Sequence, residues 1–318
     1  MKPMTVLSLF DGISGGQLAL NRINIPIKNY YASEIDKYAI QVTQDNFPNT
    51  IQLGDVSKIS YEKGILHTPT KYFNIGKVDI LLFGSPCQSF SFAGKRQGMV
   101  TNDNIEVTKL VDYLHLKEQG YEFQGQSYLF WEACRLLKEI NPTYFLCENV
   151  KMSKKWEDII SFALNATPNK INSNLFTAQN RDRLYWTNIN NGNIPLPQDK
   201  GIFLKDIIEE IVDEKYNLSK KHYDGFIRNY NWKGDDINGK SRPILASYYK
   251  QPPHCPYIPC ETSESGYRRL TPNEAEKLQS LPIDYTKSVS ETQRYKGIGN
   301  GWTIDVIAYI LSFIKNDS

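Results

Sequence analysis

The chain has 318 residues, 40% hydrophobic and 23% charged, which are ordinary globular values that exclude a disordered or collagen-like polymer. Its 37 basic and 35 acidic residues leave a net charge of +2, so any polyanion must be met by a local patch rather than a global field. Five scattered cysteines are too few for a disulfide framework. The apolar run Val6 to Phe10, ended by Asp11, is too short for a signal-peptide core, and Val306 to Ile314 is about half a membrane span. The chain reads as soluble and intracellular.

The first half alternates strand-like apolar runs with helical patterns, which predicts a parallel sheet covered by helices. Thr5 to Phe10 reads as a strand ending in the Gly-rich turn Asp11 to Gly16, with a helix starting over Gln17 to Ile23. Asn29 to Ser33 is a second strand closed by Glu34-Ile35-Asp36, and Lys37 to Asn46 has helical spacing. Gln52-Leu53 leads into Gly54-Asp55. Val78 to Phe83 is a buried-strand pattern ending at Gly84-Ser85-Pro86-Cys87. Leu129 to Ile140 is helical by period, and Thr143 to Cys147 is a strand running into Glu148-Asn149-Val150. Beyond about Asn188 the alternation fades and proline punctuation appears, which marks a second lobe. Thr271 is the N-cap of a later helix with Pro272 at its first position, and Ile304 to Ile314 is helical by period.

Several strands thus end in short polar clusters, where ligands bind in open parallel sheets. The Gly-rich turn suits close backbone approach to a nucleotide-like cofactor, or is a plain tight turn; its spacing is not the dinucleotide GxGxxG. Glu34 is placed to accept from ribose hydroxyls and Asp55 from an adenine amine; both could equally be solvated loop carboxylates. Cys87, on a loop past a buried strand, is either a nucleophile or a small buried hydrophobe. Glu148 is a carboxylate at the same sheet edge, or a strand-end acid in a salt bridge. Arg181 and Arg183, alternate residues of an extended segment, would share one face. Cys255, Cys260, His222 and His254 lack ligand spacing, so no metal site is expected.

Read in order, LFDGISGG, Glu34, Gly54-Asp55, SPCQSFS, ENV, QNRDR, RRLTPNEAEKLQSLP and GIGNGW resemble the motif series of the cytosine-C5 DNA methyltransferases from Thr5 to about Ile310. The Asp11 loop and the GNGW ending, where the family often has GxGG and GNS, are similar to the de novo methyltransferase subgroup. The resemblance implies an α/β fold: a Rossmann-like S-adenosylmethionine methyltransferase sheet with a smaller inserted target-recognition lobe. It divides the chain into a catalytic domain, residues 1–187 completed by 285–318, and a lobe over 188–284.

The resemblance also implies site roles. Cys87 would add to C6 of cytosine, Glu148 would bond N3 and the exocyclic amine, and Arg183, helped by Arg181, would meet the O2 oxygen. S-adenosyl-L-methionine would be held by Phe10, Asp11, Gly12, Ile13, Ser14 and Gly15 in the turn, by Glu34 and Ile35, and by Asp55 and Val56. Pro86 and Leu129 would line its sides, with Asn300, Gly301 and Trp302 at the methionine end. Gln88, Ser89, Lys95, Arg96, Lys220, Lys221, Arg228 and Arg242 would meet duplex DNA, from which the target base is flipped. Lys240 to Tyr249 falls where the family's target-recognition segment meets the core. Met99 to Gln126 exceeds the family minimum and reads as a lid extension or a surface excursion. The resemblance fits a monomeric, cytoplasmic, DNA-associated protein of prokaryotic or phage type, with a cognate restriction endonuclease as a possible partner. Rival readings are tRNA cytosine methylation, a catalytically silent DNA-binding regulator on the same fold, and a nicotinamide dehydrogenase disfavoured by the glycine spacing.

Overall fold

The computed structural model describes residues 1–86 and 99–316, with side chains to 314. Seven strands form the central sheet: β1 (Met4–Leu9), β2 (Ile27–Ser33), β3 (Ile51–Gln52), then, past a small antiparallel meander of β4 (Ser60–Glu62), β5 (Ile65–His67) and β6 (Tyr72–Asn74), β7 (Ile80–Phe83), β8 (Tyr144–Val150), β9 (Asn169–Asn172) and β10 (Asp182–Thr187). Their spatial order is β3-β2-β1-β7-β8-β10-β9. The first five are parallel, and β10 runs antiparallel to both its neighbours. From β1 the chain builds outward to β2 and β3, then returns to add β7 on β1's other side. That reversal opens a crevice at the carboxyl ends of β1 and β7, where a doubly wound sheet takes its ligand.

Alternation along the strands sorts the core into two layers. Val6, Ile80 and Leu82 face one apolar cluster, while Leu7, Leu9, Leu81 and Phe83 face the other. The first layer holds α1 (Gly15–Arg22), which packs on α9 (Ile304–Ser312); the second holds α4 (Leu129–Ile140) and α5 (Lys154–Leu164). α2 (Lys37–Asn46) is capped by Asp36, which accepts from the Tyr38 N–H, and α4 ends at Asn141 in the left-handed region.

The segment from Met99 to Gln126 contains α3 (Leu110–Glu118) and is tied down rather than loose. The buried carboxylate of Glu132 on α4 accepts from the Tyr113 hydroxyl at 2.5 Å, from Lys117 and from Arg135. Phe123 stacks on Tyr128 at 5.0 Å between centroids. This excursion is therefore a fixed wall against α4.

The later part of the chain carries α6 (Lys220–Tyr230), the hairpin β11 (Tyr257–Pro259) and β12 (Tyr267–Arg269), α7 (Pro272–Leu278) and α8 (Glu291–Asn300). Its core is aromatic: Phe226, Trp232, Tyr257 and Tyr267 meet edge to face or tilted at 5.1–5.6 Å. These residues belong to the same apolar cluster as Val6 and Leu82, so one core runs from the sheet into this lobe. Thr271 and Glu274 close a capping box on α7. Gly299 sits inside α8 because the Leu245–Ala246 backbone runs against it; a Cβ there would lie 2.2 Å from that backbone. Among the described residues no helix is long and apolar enough to cross a membrane, and no group of three or more His, Cys, Asp or Glu could hold a metal ion.

Candidate active site

The loop after β1 is held in an uncommon conformation. Phe10, Gly12 and Ser14 all have positive φ, at 55°, 59° and 61°. For Phe10 and Ser14 that conformation is costly, and such strain clusters at ligand clamps. Glu34, at the end of β2, fixes the loop: its Oε2 accepts from the Gly12 N–H at 2.8 Å. Its Oε1 accepts from the N–H groups of Ile35 and Asp36 at 2.7 and 2.8 Å. The Tyr285 hydroxyl donates to the Ile13 carbonyl at 2.7 Å from below.

Asp11 turns inward. Its Oδ1 accepts from the Tyr30 hydroxyl at 2.8 Å, and its buried Oδ2 has no partner. Burial pushes its carboxyl up to about 6, with the Tyr30 bond only partly opposing it. Asp55 caps a short turn, with Oδ1 accepting from the Ser57 N–H and hydroxyl at 2.9 and 2.8 Å.

A cavity of about 760 Å³ opens over these groups. Phe10, Asp11, Gly12, Ile13, Gly15, Glu34, Ile35, Asp55 and Val56 line it, as do Pro86, Leu129, Asn300, Gly301 and Trp302. Ser14 is buried beneath the loop and is not in the lining. Glu148, Arg181 and Arg183 line the same cavity, so the ribose-type acid and the second acid open into one space.

At that second end, Glu148 lies on β8 and Arg183 on β10. Arg183 Nε sits 2.9 Å from Glu148 Oε1. Trp302 Nε1 donates to Glu148 Oε2 at 3.2 Å. Arg181 does not join them: it is buried, and its guanidinium donates to the carbonyls of Ile244, Gly299 and Gly301 at 2.9, 3.0 and 3.1 Å. Arg181 lies one residue before β10, where Asn172 Oδ1 accepts its N–H and its carbonyl accepts from the Ser173 N–H, and its side chain runs to the Ile244 and Gly299–Gly301 backbone instead of to the acid. Asn149, passed over in the sequence reading, donates to the Ser85 carbonyl and hydroxyl at 3.4 and 3.2 Å and so ties β8 to the approach to Cys87.

Cys87, Gln88, Ser89, Lys95 and Arg96 fall outside the described residues. Elsewhere, burial pushes the thiols of Cys134 and Cys147 well up and that of Cys255 up to about 12, so these three are inert hydrophobes.

Lys220, Lys221 and Arg228 are exposed along α6. Arg242 is turned into its own lobe instead. It stacks over Trp232 at 5.6 Å, donates to the Pro253 and Cys255 carbonyls at 3.3 and 3.4 Å and also to Lys233, and lies 3.8 Å from Asp235. Lys240 is likewise spent on the Asn174 and Thr177 carbonyls and on Asp199. Ser241, Ile244 and Tyr248 are fully buried, so the 240–249 stretch is anchored by these three side chains.

A parallel sheet with this switch point, Gly-rich turn and second-strand acid is the Rossmann-like fold of a methyltransferase. The chain belongs to the C-5 cytosine-specific DNA methylases, whose family model matches residues 4–316, and it is a DNA cytosine methyltransferase. It is 31% identical to the Type II methyltransferase M1.ScrFI of Lactococcus lactis subsp. cremoris, covering 95% of this chain and 75% of that one. With the Type II methyltransferase M.NlaX of Neisseria lactamica it shares 28% identity over 98% and 96% of the two chains. Among solved structures, S. pombe Dnmt2 methyltransferase superposes with a TM-score of 0.69 at 18% identity, covering 99% of each chain. Entamoeba histolytica methyltransferase EhMeth superposes with 0.66 at 18%, covering 100% of this chain and 99% of that one. These two likenesses speak to the fold alone.

Proposed function

We propose that this enzyme transfers a methyl group from S-adenosyl-L-methionine to C5 of a cytosine flipped out of duplex DNA, through a covalent adduct with Cys87. The observation that carries the reading is the single cavity into which Glu34 and the Glu148–Arg183 pair both open. The residues present suit the cofactor: a carboxylate at the ribose position, Asp55 beyond it, and an apolar wall of Ile13, Val56 and Leu129. When bound, the cofactor supplies an electrophilic methyl carried on a sulfonium.

The chain's own residues must then make cytosine C5 nucleophilic. The Cys87 thiolate adds to C6, and electron density moves onto the ring toward N3 and O2. Glu148 is proposed to bond N3 and the exocyclic amine as that density grows, and Arg183 to meet O2. C5 takes the methyl, a base removes the C5 proton, and Cys87 leaves by elimination. An in-duplex base cannot reach a cavity of this kind, so flipping is required.

Basic residues of α6 and the 188–284 lobe are proposed to meet the DNA, with residues 1–187 and 285–318 carrying the chemistry. The Type II names of several relatives support a cognate restriction endonuclease; two phage relatives are named orphan methyltransferases. The test is tritiated-methyl transfer to duplex DNA beside tRNA, with Cys87→Ser as control. Duplex DNA should be labelled and the variant silent while still binding DNA and cofactor. Near-normal labelling by Cys87→Ser would sink the covalent route.

A further inference from the structure

Two groups converge on Glu148, and one of them has no assigned part in the chemistry. Arg183 Nε reaches Oε1 at 2.9 Å, and Trp302 Nε1 donates to Oε2 at 3.2 Å. Gly84 makes room for this: a Cβ there would stand 3.0 Å from Trp302 Nε1 and 3.2 Å from Glu148 Oε2. The other edge of the indole packs over α1, within 3.5–4.0 Å of where Cβ atoms on Gly15 and Gly16 would sit. Trp302 is thus wedged between the cofactor-loop helix and the acid, with its one donor spent on the carboxylate.

We infer that Trp302 is a positioning residue that, with Arg183, fixes the Glu148 carboxylate in the orientation needed to engage the cytosine ring. Trp302 donates to Oε2 while the Arg183 guanidinium lies against Oε1 as an ion pair, so both oxygens are held and each keeps a lone pair open to the cavity. A carboxylate locked at two points cannot rotate away as the thiolate adds, and that preorganisation is what accelerates the step. The inference rests on Glu148 acting on the base.

Trp302→Phe keeps an aromatic wedge and deletes the donor. A bond to a charged acceptor is worth enough that the single-turnover methylation rate should fall about 10- to 100-fold. Affinity for DNA should stay within about twofold, and the rate loss should persist at saturating S-adenosylmethionine. In a Glu148→Ala background the same substitution should cost nothing further, because the group it acts through is gone. Gly84→Ala, which drives the pair apart without changing either member, should reproduce the Trp302→Phe pattern and serves if that variant fails to fold. An equal loss in both backgrounds, an unchanged rate, or a loss confined to cofactor affinity would overturn the positioning role. Near-normal turnover by Glu148→Ala alone would instead remove the reading beneath it.

Discussion

Glu148 and Arg183 meet as diagonal neighbours across an antiparallel strand pair. In the register of β8 and β10, Arg183 stands opposite Val150 and Tyr185 opposite Glu148, so acid and guanidinium lie two positions apart on one face. Long side chains span that diagonal, and the 2.9 Å contact is the result. Glu148→Gln should therefore lower the chemical step by on the order of 10²-fold, because an amide can neither hold nor pass the proton that N3 takes up as the thiolate adds. Rapid-quench single turnover at saturating DNA checks this; an effect seen only in KM would take Glu148 out of the mechanism.

Glu34 braces the loop and is proposed to hold the cofactor, and the two tasks can be separated. Its oxygens accept three backbone N–H groups, leaving about one of the usual four lone-pair directions for a ribose hydroxyl. Glu34→Ala should weaken S-adenosylmethionine binding about tenfold or more and also lower stability by about 1–3 kcal/mol, since the loop loses its acceptor. Glu34→Gln should rescue neither fully: whichever way its amide is turned, the NH₂ end faces a backbone donor. Calorimetric affinity and a thermal melt on both variants suffice, and wild-type values for Glu34→Gln would contradict the bracing geometry.

How much of this was legible in the sequence depends on what kind of partner a residue has. The helices Lys37–Asn46 and Leu129–Ile140 appear with the bounds their periodicity predicts, because apolar spacing is itself the cause of their burial. The turn after β1 and the acid after β2 also stand where the polar clusters placed them. Invisible were contacts between side chains and distant carbonyls. Arg181 reads as a helper at the base and Arg242 as a DNA contact, yet each, like Lys240, is satisfied by backbone oxygens that only the tertiary fold brings near. Of the aromatics between the lysines, Trp232 and Tyr248 are core, and Tyr230 stays exposed. The antiparallel β10 and the β4–β6 meander were hidden too, since strand direction and three-residue strands leave no period to read.

Asp11 gives the protein a pH dependence of definite sign. Its folded carboxyl sits at about 6 against an ordinary value of 3.8, mainly through burial. A raised carboxyl means that the native state binds the proton more tightly than the unfolded chain. Its contribution is thus most favourable below the unfolded value and is lost as pH climbs through the folded one. The difference is on the order of 3 kcal/mol at neutral pH. Asp11→Asn, which keeps the shape and an acceptor for Tyr30, should raise the melting temperature at pH 7.5, with the gain fading toward pH 4. Melts across that range test it; a variant that is less stable at pH 7.5 would mean the charge is compensated.

The two kinds of cation between residues 188 and 284 should respond oppositely to removal. Lys220 and Lys221 open α6 at an exposed helix start, next to Ser219, which caps the helix. Nothing in the fold depends on their charge, so Lys220→Ala with Lys221→Ala should leave the melt within about 0.5 kcal/mol. If both touch phosphate, binding to every duplex should weaken alike and the salt dependence should flatten by about two units of slope. Arg242→Ala should do the reverse. It strips the donor from buried carbonyls and the partner from Asp235, whose carboxyl burial already pushes upward, and it uncovers the Trp232 face. A loss of about 2–4 kcal/mol in stability is expected from those combined causes, with the methylated sequence unchanged at a temperature where the lobe is folded. Salt-titrated DNA binding, thermal melts and a methylation profile on a random duplex library separate the two. If Arg242→Ala melted normally but altered which sites were methylated, its guanidinium would have to leave the lobe interior for a base edge when DNA binds.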